Sequence, residues 1–291
     1  MKLLFLNDQD VRTLLDLDQL LEALAEGFVA LSDGRAVAPN RSDVSIPGKG
    51  FLLTMPAWQP GNHVSIKMVA VFREIAGMNQ TGHPALITLF DQDSGAPVAL
   101  MDGRFITTMR TAAAAALSVK FLAQQQTRTL AIIGAGTQAQ AHLAAIPRVR
   151  GFEDIRIASP SGEARKLSAQ FPHPRSVSSN EEAVRGADVI CLCTDSSTPV
   201  IQWDWVSPGA HITSVGYAAP GGELPAEAVE RGRLFVETRR AFEPAPVGCA
   251  ELAGQPPERG TELGEVIGDR KPGRRSEQEI TVYKSMGHAM E

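Results

Sequence analysis

The chain has 291 residues, 43% of them apolar, with 28 Lys and Arg against 33 Asp and Glu. That length suffices for two domains with their own cores, and a net charge of −5 with a pI near 5.7 argues against a general nucleic-acid or membrane-surface binder. Met1–Asp10 lacks a basic start followed by an extended apolar stretch, and no apolar run approaches the roughly 20 residues of a spanning helix, so the chain is expected to work in the cytoplasm. Three cysteines make no disulfide framework. Cys191 and Cys193 alternate along Val189–Thr194 and Cys249 stands alone, with no Cys/His ligand set beside them, so no metal site is expected.

Leu20, Leu21, Leu24, Phe28 and Leu31 share one helix face, with Asp18 as the expected N-cap and Gly34 as the stop. Strand-like runs follow at Gly50–Trp58, Val64–Phe72, Pro84–Asp91 and Pro97–Asp102, divided by turn residues, and their close spacing predicts an antiparallel sheet. Asp91, Asp93 and Asp102 fall in the turns, where such side chains bond to backbone. Thr107 or Thr108 is the expected cap of a helix through Met109–Leu122, whose Ala112–Ala116 run permits close packing. From Arg128 the rhythm changes. Leu130–Ile133, Gln138–Ile146, Asp154–Ala158, Glu163–Phe171, Ser176–Ser178, Glu181–Arg185, Val189–Thr194 and His211–Val215 alternate strand and helix, which predicts a Rossmann-type doubly wound parallel sheet. The expected fold is therefore α/β. An α+β substrate-binding and dimerisation domain covers 1–118, with 279–291 returning to it, and a nucleotide-binding domain covers 119–278.

Residues 129–139 read Thr-Leu-Ala-Ile-Ile-Gly-Ala-Gly-Thr-Gln-Ala. Apolar Leu130–Ile133 lead into Gly134, Gly136 and Ala139, which match Gly-x-Gly-x-x-Ala. Gly134 lets the chain turn tightly, Gly136 leaves room for a pyrophosphate against the backbone, and Ala139 lets helix and strand pack closely. The N–H groups at the helix start meet the anion. NAD enzymes place an acid at the end of the next strand to accept from the ribose 2′-hydroxyl. Here that position is Ser159, followed by Pro160 and Ser161, with Arg165 and Lys166 nearby. Hydroxyls and cations suit a 2′-phosphate, which favours NADPH over NADH, although Arg165 and Lys166 equally fit solvated helix positions.

Further motifs run along almost the whole chain. They are Ser65–Val69, Leu89-Phe90-Asp91, Gly95-Ala96-Pro97, Met101-Asp102-Gly103, Thr107–Ala113, the glycine turn, Glu262–Val266, Lys271–Arg274 and Ile280–Gly287. Together they resemble the ornithine cyclodeaminase/μ-crystallin family. That resemblance implies a nicotinamide-dependent enzyme, usually dimeric, that moves hydride to or from the α-carbon of an amino or imino acid. It also implies cofactor contacts at Thr111, Gly134, Ala135, Gly136, Thr137, Gln138, Ser159, Ser161, Arg165, Thr194 and Gly216.

The same resemblance assigns substrate binding to Arg41, Lys67 and Arg110. A guanidinium fork suits the substrate carboxylate because it binds bidentately. Two roles fit Lys67, hydrogen-bonding the carboxylate or delivering the imine proton, and the sequence does not separate them. Outside these motifs an arginine on an Ala-rich helix reads as an ion-pair residue and a strand lysine as solvated. His83 and His288 fit a surface or packing role better than proton donation.

Two departures bear on the reaction. Cyclodeaminases and related alanine dehydrogenases carry Gly-x-Asp-x-Pro-Gly after the last cofactor-domain strand, and its aspartate serves the substrate amine. Here Gly216-Tyr217-Ala218-Ala219-Pro220-Gly221 puts Ala218 at that position. A methyl group cannot take a proton from a saturated amine, whereas a preformed cyclic imine needs no such base. Tyr217 either borders the ligand or covers the end of the sheet. Lys284 stands where cyclodeaminases tend to carry Asp. The expected activity is reduction of Δ1-pyrroline-2-carboxylate or Δ1-piperideine-2-carboxylate to proline or pipecolate. Ornithine cyclodeamination, alanine- or opine-type dehydrogenation, and a non-catalytic NADPH- and small-ligand-binding role are the alternatives.

Overall fold

The structure, a computed structural model, describes residues 2–72, 83–216, 218, 220–245 and 247–291. Tyr217, with its two expected roles, lies outside them. The chain divides into two compact units, one holding residues up to Arg110 with Ala289–Glu291, the other Thr111–His288.

In the first unit β1 (Leu4–Leu6) precedes α1 (Asp8–Leu14), which Asn7 and Asp10 close with a capping box. The helix α2 (Leu17–Ser32) buries Leu21, Leu24 and Phe28, the expected apolar face. Its cap is Asp16, whose carboxylate accepts from the Gln19 N–H at 2.9 Å. Asp18 lies inside the first turn, where its charge meets the positive end of the helix dipole. Gly34 follows at φ +69°, as a helix stop requires.

Then come β2 (Ser42–Ile46), β3 (Gly50–Ala57), β4 (Val64–Phe72), β5 (Ala85–Phe90) and β6 (Pro97–Asp102). Among the described residues they form a six-stranded sheet in the order β1-β6-β5-β4-β3-β2, antiparallel except for the parallel β1–β6 pair. Leu53, Met55 and Val69 are buried on one face. On the other, Val44 faces Leu52 across β2 and β3, and both stay exposed, as does Phe72.

The helix α3 (Arg104–Leu122) begins five residues before the expected Met109. Asp102 accepts from the Arg104 N–H at 2.9 Å, while Thr107 and Thr108 donate one turn back, to Gly103 and Arg104 carbonyls. The Asp that ends β6 thus opens the helix, and the threonines bond within it. Ala112–Ala116 are fully buried.

The second unit follows the alternation read from the sequence. It contains β7 (Thr129–Ile133), α4 (Thr137–Ala145), β8 (Asp154–Ala158), α5 (Glu163–Ser168), β9 (Arg175–Ser176), α6 (Asn180–Val184), β10 (Val189–Leu192), β11 (His211–Ser214), α7 (Ala226–Arg231), β12 (Arg233–Val236), β13 (Thr261–Glu262), α8 (Leu263–Ile267) and β14 (Thr281–Lys284). Among the described residues eight strands are parallel, in the order β13-β12-β14-β11-β10-β7-β8-β9. Every residue of β7, β10, β11 and β14 is buried, the pattern of a parallel sheet covered on both faces. Within the closing segment expected to return to the first domain, Thr281–Lys284 therefore pairs with β11 and β12, and Ala289–Glu291 joins the first unit. The buried Glu237 carboxylate gathers the next stretch, accepting from the Tyr283 and Ser285 hydroxyls and from the Met286, Gly287 and His288 N–H groups.

Two histidines of this unit are wholly enclosed. Burial pushes His142 down to about 4, and burial with the Arg274 charge pushes His211 down to about 3. His211 instead bonds Ser118 at 3.0 Å and Thr281 at 2.9 Å. Unfolded histidine takes its proton near 6.5. Below that pH the unfolded chain binds protons that the folded chain refuses, so stability falls as pH falls, by up to about 1.4 kcal/mol per pH unit for each histidine. Urea unfolding at pH 7.5 and pH 5 should therefore show a loss of stability that His211→Gln makes smaller. An undiminished loss in that variant would contradict the assignment.

Candidate active site

Lys67 sits near the middle of β4, opposite Met55 on β3 and Ile87 on β5, and shares a face with Ser65 and the buried Val69. The sheet therefore turns it toward the core side of its unit. Burial, then the Arg110 charge, then the Arg41 charge hold its amine well below the ordinary lysine range. The structure thus brings together the three cations singled out from the sequence. Arg110, on α3, is 8% exposed and pairs with the Glu291 carboxylate. His83 belongs to the same neighbourhood, since burial and then the Lys67 charge lower its pKa. Glu291 was not legible as a partner, because only the fold brings it to Arg110.

In the second unit the strand order reverses between β7 and β10, and open α/β sheets bind their ligands outside the strand C-termini at such a point. Gly134 ends β7 at φ +116°, and a Cβ there would lie 2.5 Å from the Cys193 carbonyl oxygen. A Cβ at Gly136, the N-cap of α4, would meet nothing within 4 Å. Protein packing does not demand glycine at 136, so the open space suits a ligand that approaches the backbone. Ala139 is fully buried against the sheet, Thr137 starts α4, and the Gln138 Oε1 atom is buried without a hydrogen-bond partner. Ala135 lies in the same turn, and Thr111 is buried in α3. An open glycine cradle, a helix N-terminus and an orphaned amide oxygen fit a dinucleotide.

At the end of β8 the Ser159 and Ser161 hydroxyls lie 2.9 Å apart, and Arg165 is exposed on α5. Lys166 is engaged by Glu163 at 2.8 Å, which favours its reading as a solvated helix residue. Thr194 and Gly216 follow β10 and β11, and both are held by a carboxylate that the sequence reading missed. Glu223 accepts from the Thr194 N–H and hydroxyl at 2.8 and 2.7 Å, and from the Gly216 N–H at 2.6 Å. The available signal was an acid just after Gly221-Gly222, a pair without side chains that allows close approach. His288 is buried and spends its N–H on Glu237. Cys191, Cys193 and Cys249 are buried and outside any disulfide, and burial raises the first two above the ordinary range. Among the described residues no helix is long and apolar enough to cross a membrane.

A doubly wound nucleotide-binding unit joined to a sheet that carries a cationic cluster defines a nicotinamide-coenzyme fold. The profile of the ornithine cyclodeaminase/mu-crystallin family matches residues 1–291, and the chain belongs to that family. The ketimine reductase mu-crystallin of Macropus fuliginosus is 34% identical over 99% of this chain and 93% of its own. The Δ1-pyrroline-2-carboxylate reductase of Thermococcus litoralis, solved with NADH and L-proline, is 30% identical with a TM-score of 0.90, over 99% of this chain and 93% of its own. An archaeal alanine dehydrogenase dimer with bound NAD is 29% identical with a TM-score of 0.88, over 100% of this chain and 92% of its own.

The two glycines separate structural from ligand demands. Gly134→Ala must adopt a conformation that costs a side chain about 1–3 kcal/mol and also displace a carbonyl, so it should lower the melting temperature. Gly136→Val should melt close to the parent yet bind reduced coenzyme at least tenfold more weakly in a fluorescence titration. Unchanged coenzyme binding by Gly136→Val would remove the cradle from the site.

Proposed function

We propose that this protein reduces a cyclic α-imino acid, Δ1-pyrroline-2-carboxylate or Δ1-piperideine-2-carboxylate, to proline or pipecolate, with NADPH as the preferred coenzyme. The observation that carries the reading is the cluster of Arg41, Lys67 and Arg110 on one unit, with a carboxylate already paired to Arg110. The Thermococcus relative was solved with NADH and L-proline, a reduced nicotinamide coenzyme and a cyclic amino acid of the kind this reaction uses and forms.

Arg110 offers a fork that grips the substrate carboxylate through two parallel hydrogen bonds, and Arg41 supplies a second positive charge. Bound coenzyme supplies the hydride for the electrophilic C=N carbon. Reduction also consumes one proton at the imine nitrogen. Lys67 is suited to deliver it, because its neighbours make the ammonium a willing donor. A substrate carboxylate beside Lys67 offsets the two arginines and draws a proton onto the amine, which coupling would load the donor as substrate binds. Ala218 supplies no carboxylate to deprotonate a saturated amine, which disfavours the ornithine route. The Ser159 and Ser161 hydroxyls, with no acid at the end of β8, favour a 2′-phosphate on the coenzyme.

A homodimer completes the reading. Val44, Ile46, Leu52 and Phe72 leave apolar surface exposed around the outer face of the six-stranded sheet, and a second copy of the chain is the partner of matching character. Light scattering is expected to give twice the 31.1 kDa chain mass, with Leu52→Glu shifting the protein toward monomer. A parent monomer would overturn this part.

The substrate assignment is tested at Arg110. With Δ1-pyrroline-2-carboxylate as substrate, Arg110→Lys should lose about 2–5 kcal/mol of transition-state stabilisation, roughly thirtyfold to several-thousandfold in kcat/KM. Coenzyme affinity should stay within about twofold, and NADPH should bind more tightly than NADH in the same titrations. Near-normal kcat/KM for the variant would make Arg110 a structural residue.

A further inference from the structure

Lys284 closes β14 with no exposed surface. Its ammonium donates to the Gly216 carbonyl at 2.7 Å, to Glu251 at 2.8 Å and to the Ser214 hydroxyl at 3.1 Å. Ser214 donates in turn to Glu223 at 2.9 Å, and Glu223 also accepts from the Val215 and Gly216 N–H groups. The Gly216 peptide is therefore gripped from both sides, its N–H by an anion and its carbonyl by a cation. Close packing leaves it little freedom, since a Cβ there would lie 2.4 Å from the Thr194 carbonyl and 2.6 Å from Glu223. Glu223 is itself tied to neighbouring chain, because the Val200 N–H bonds its carbonyl at 3.0 Å.

The charges explain why a lysine stands here. Glu223 is fully buried and Glu251 is 7% exposed in its side chain, so two carboxylates share one enclosed space. A third carboxylate at position 284 would add repulsion that such a site cannot dissipate. Burial pushes the Lys284 amine down, but Cys249, Glu251 and Glu223 outweigh it and leave the pKa raised.

We propose that Lys284 is a positioning residue for the coenzyme. It fixes the Gly216 carbonyl just beyond β11, at the C-terminal edge of the sheet. In the strand order, pyrophosphate at the β7 turn leaves the β8 side for the adenosine half and the β10–β11 side for the nicotinamide half. Thr194 and Gly216, the two residues locked by this cluster, lie on the nicotinamide side. The inference rests on the coenzyme-dependent reading of the protein and goes beyond it by giving Lys284 a task other than charge balance.

The test must separate positioning from simple neutralisation of Glu251. Lys284→Met alone strands two buried carboxylates and should melt well below the parent. The double variant Lys284→Met, Glu251→Gln removes one charge of each sign, so its melting temperature should recover most of that loss. NADPH binding is then measured by fluorescence titration, with steady-state kinetics on Δ1-pyrroline-2-carboxylate alongside. A refolded double variant with NADPH dissociation at least tenfold weaker, and imine KM within about threefold of the parent, supports positioning. Parent-like NADPH binding in the double variant reduces Lys284 to a counter-ion and overturns the proposal. If the double variant remains destabilised, Ser214→Ala provides the readout. It weakens the same grip without changing charge and should raise NADPH dissociation several-fold, whereas unchanged binding again overturns the proposal. Failure of the parent itself to bind NADPH or NADH would instead refute the coenzyme-dependent reading.

Discussion

Repulsion among Arg41, Lys67 and Arg110 is the constraint on which the proposed reaction rests. Three cations placed together where water is scarce are unfavourable unless an anion joins them or one gives up its proton. The structure uses both routes: Lys67 has its pKa driven well down, and Arg110 takes the Glu291 carboxylate. A ligand whose carboxylate enters this cluster therefore gains electrostatic energy and changes the protonation of the group beside it. That coupling links recognition to the proton a C=N reduction consumes.

Lys284 gives the counterexample within the same chain. Both lysines are pushed down by burial, but acidic neighbours reverse the outcome at Lys284, whereas arginines reinforce it at Lys67. The lysine in the parallel sheet has its pKa raised and binds the Gly216 carbonyl, and the one in the antiparallel sheet has its pKa lowered. The same residue type is thus pushed in opposite directions by what surrounds it. Glu223 and Glu237 are each surrounded by hydroxyl and N–H donors. They organise the loops after β10 and β11 and the stretch after β14.

Periodicity made the nucleotide-binding half legible. Leu130–Ile133 and Asp154–Ala158 are continuous runs bounded by turn chemistry, and Gly134 and Gly136 carry a meaning that spacing alone exposes. The central strands of the first sheet were equally clear. Short or polar elements escaped: β1 has three residues, and β2 is exposed along its length, so neither presents a buried pattern. The Arg233–Val236 strand and its neighbours sit among loops rich in Pro and Gly that mask the alternation. Helix starts were misplaced by competition between nearby candidates, Asp16 against Asp18 and Asp102 against Thr107. Arg41, Lys67 and Arg110 were found through motif resemblance, whereas Glu223, Glu251 and Glu291 were not, because their partners lie far away in sequence or follow from the packing of loops.

The decisive measurement compares two substrates in one preparation of the unmodified protein. NADPH oxidation is followed with Δ1-pyrroline-2-carboxylate, and ammonia release is followed with L-ornithine and NAD+. The proposed reading predicts rapid NADPH oxidation with the imine and little ammonia from ornithine. Robust ammonia release with negligible imine reduction would contradict the account, since it would make Lys67 a base for a saturated amine rather than a proton donor to an imine.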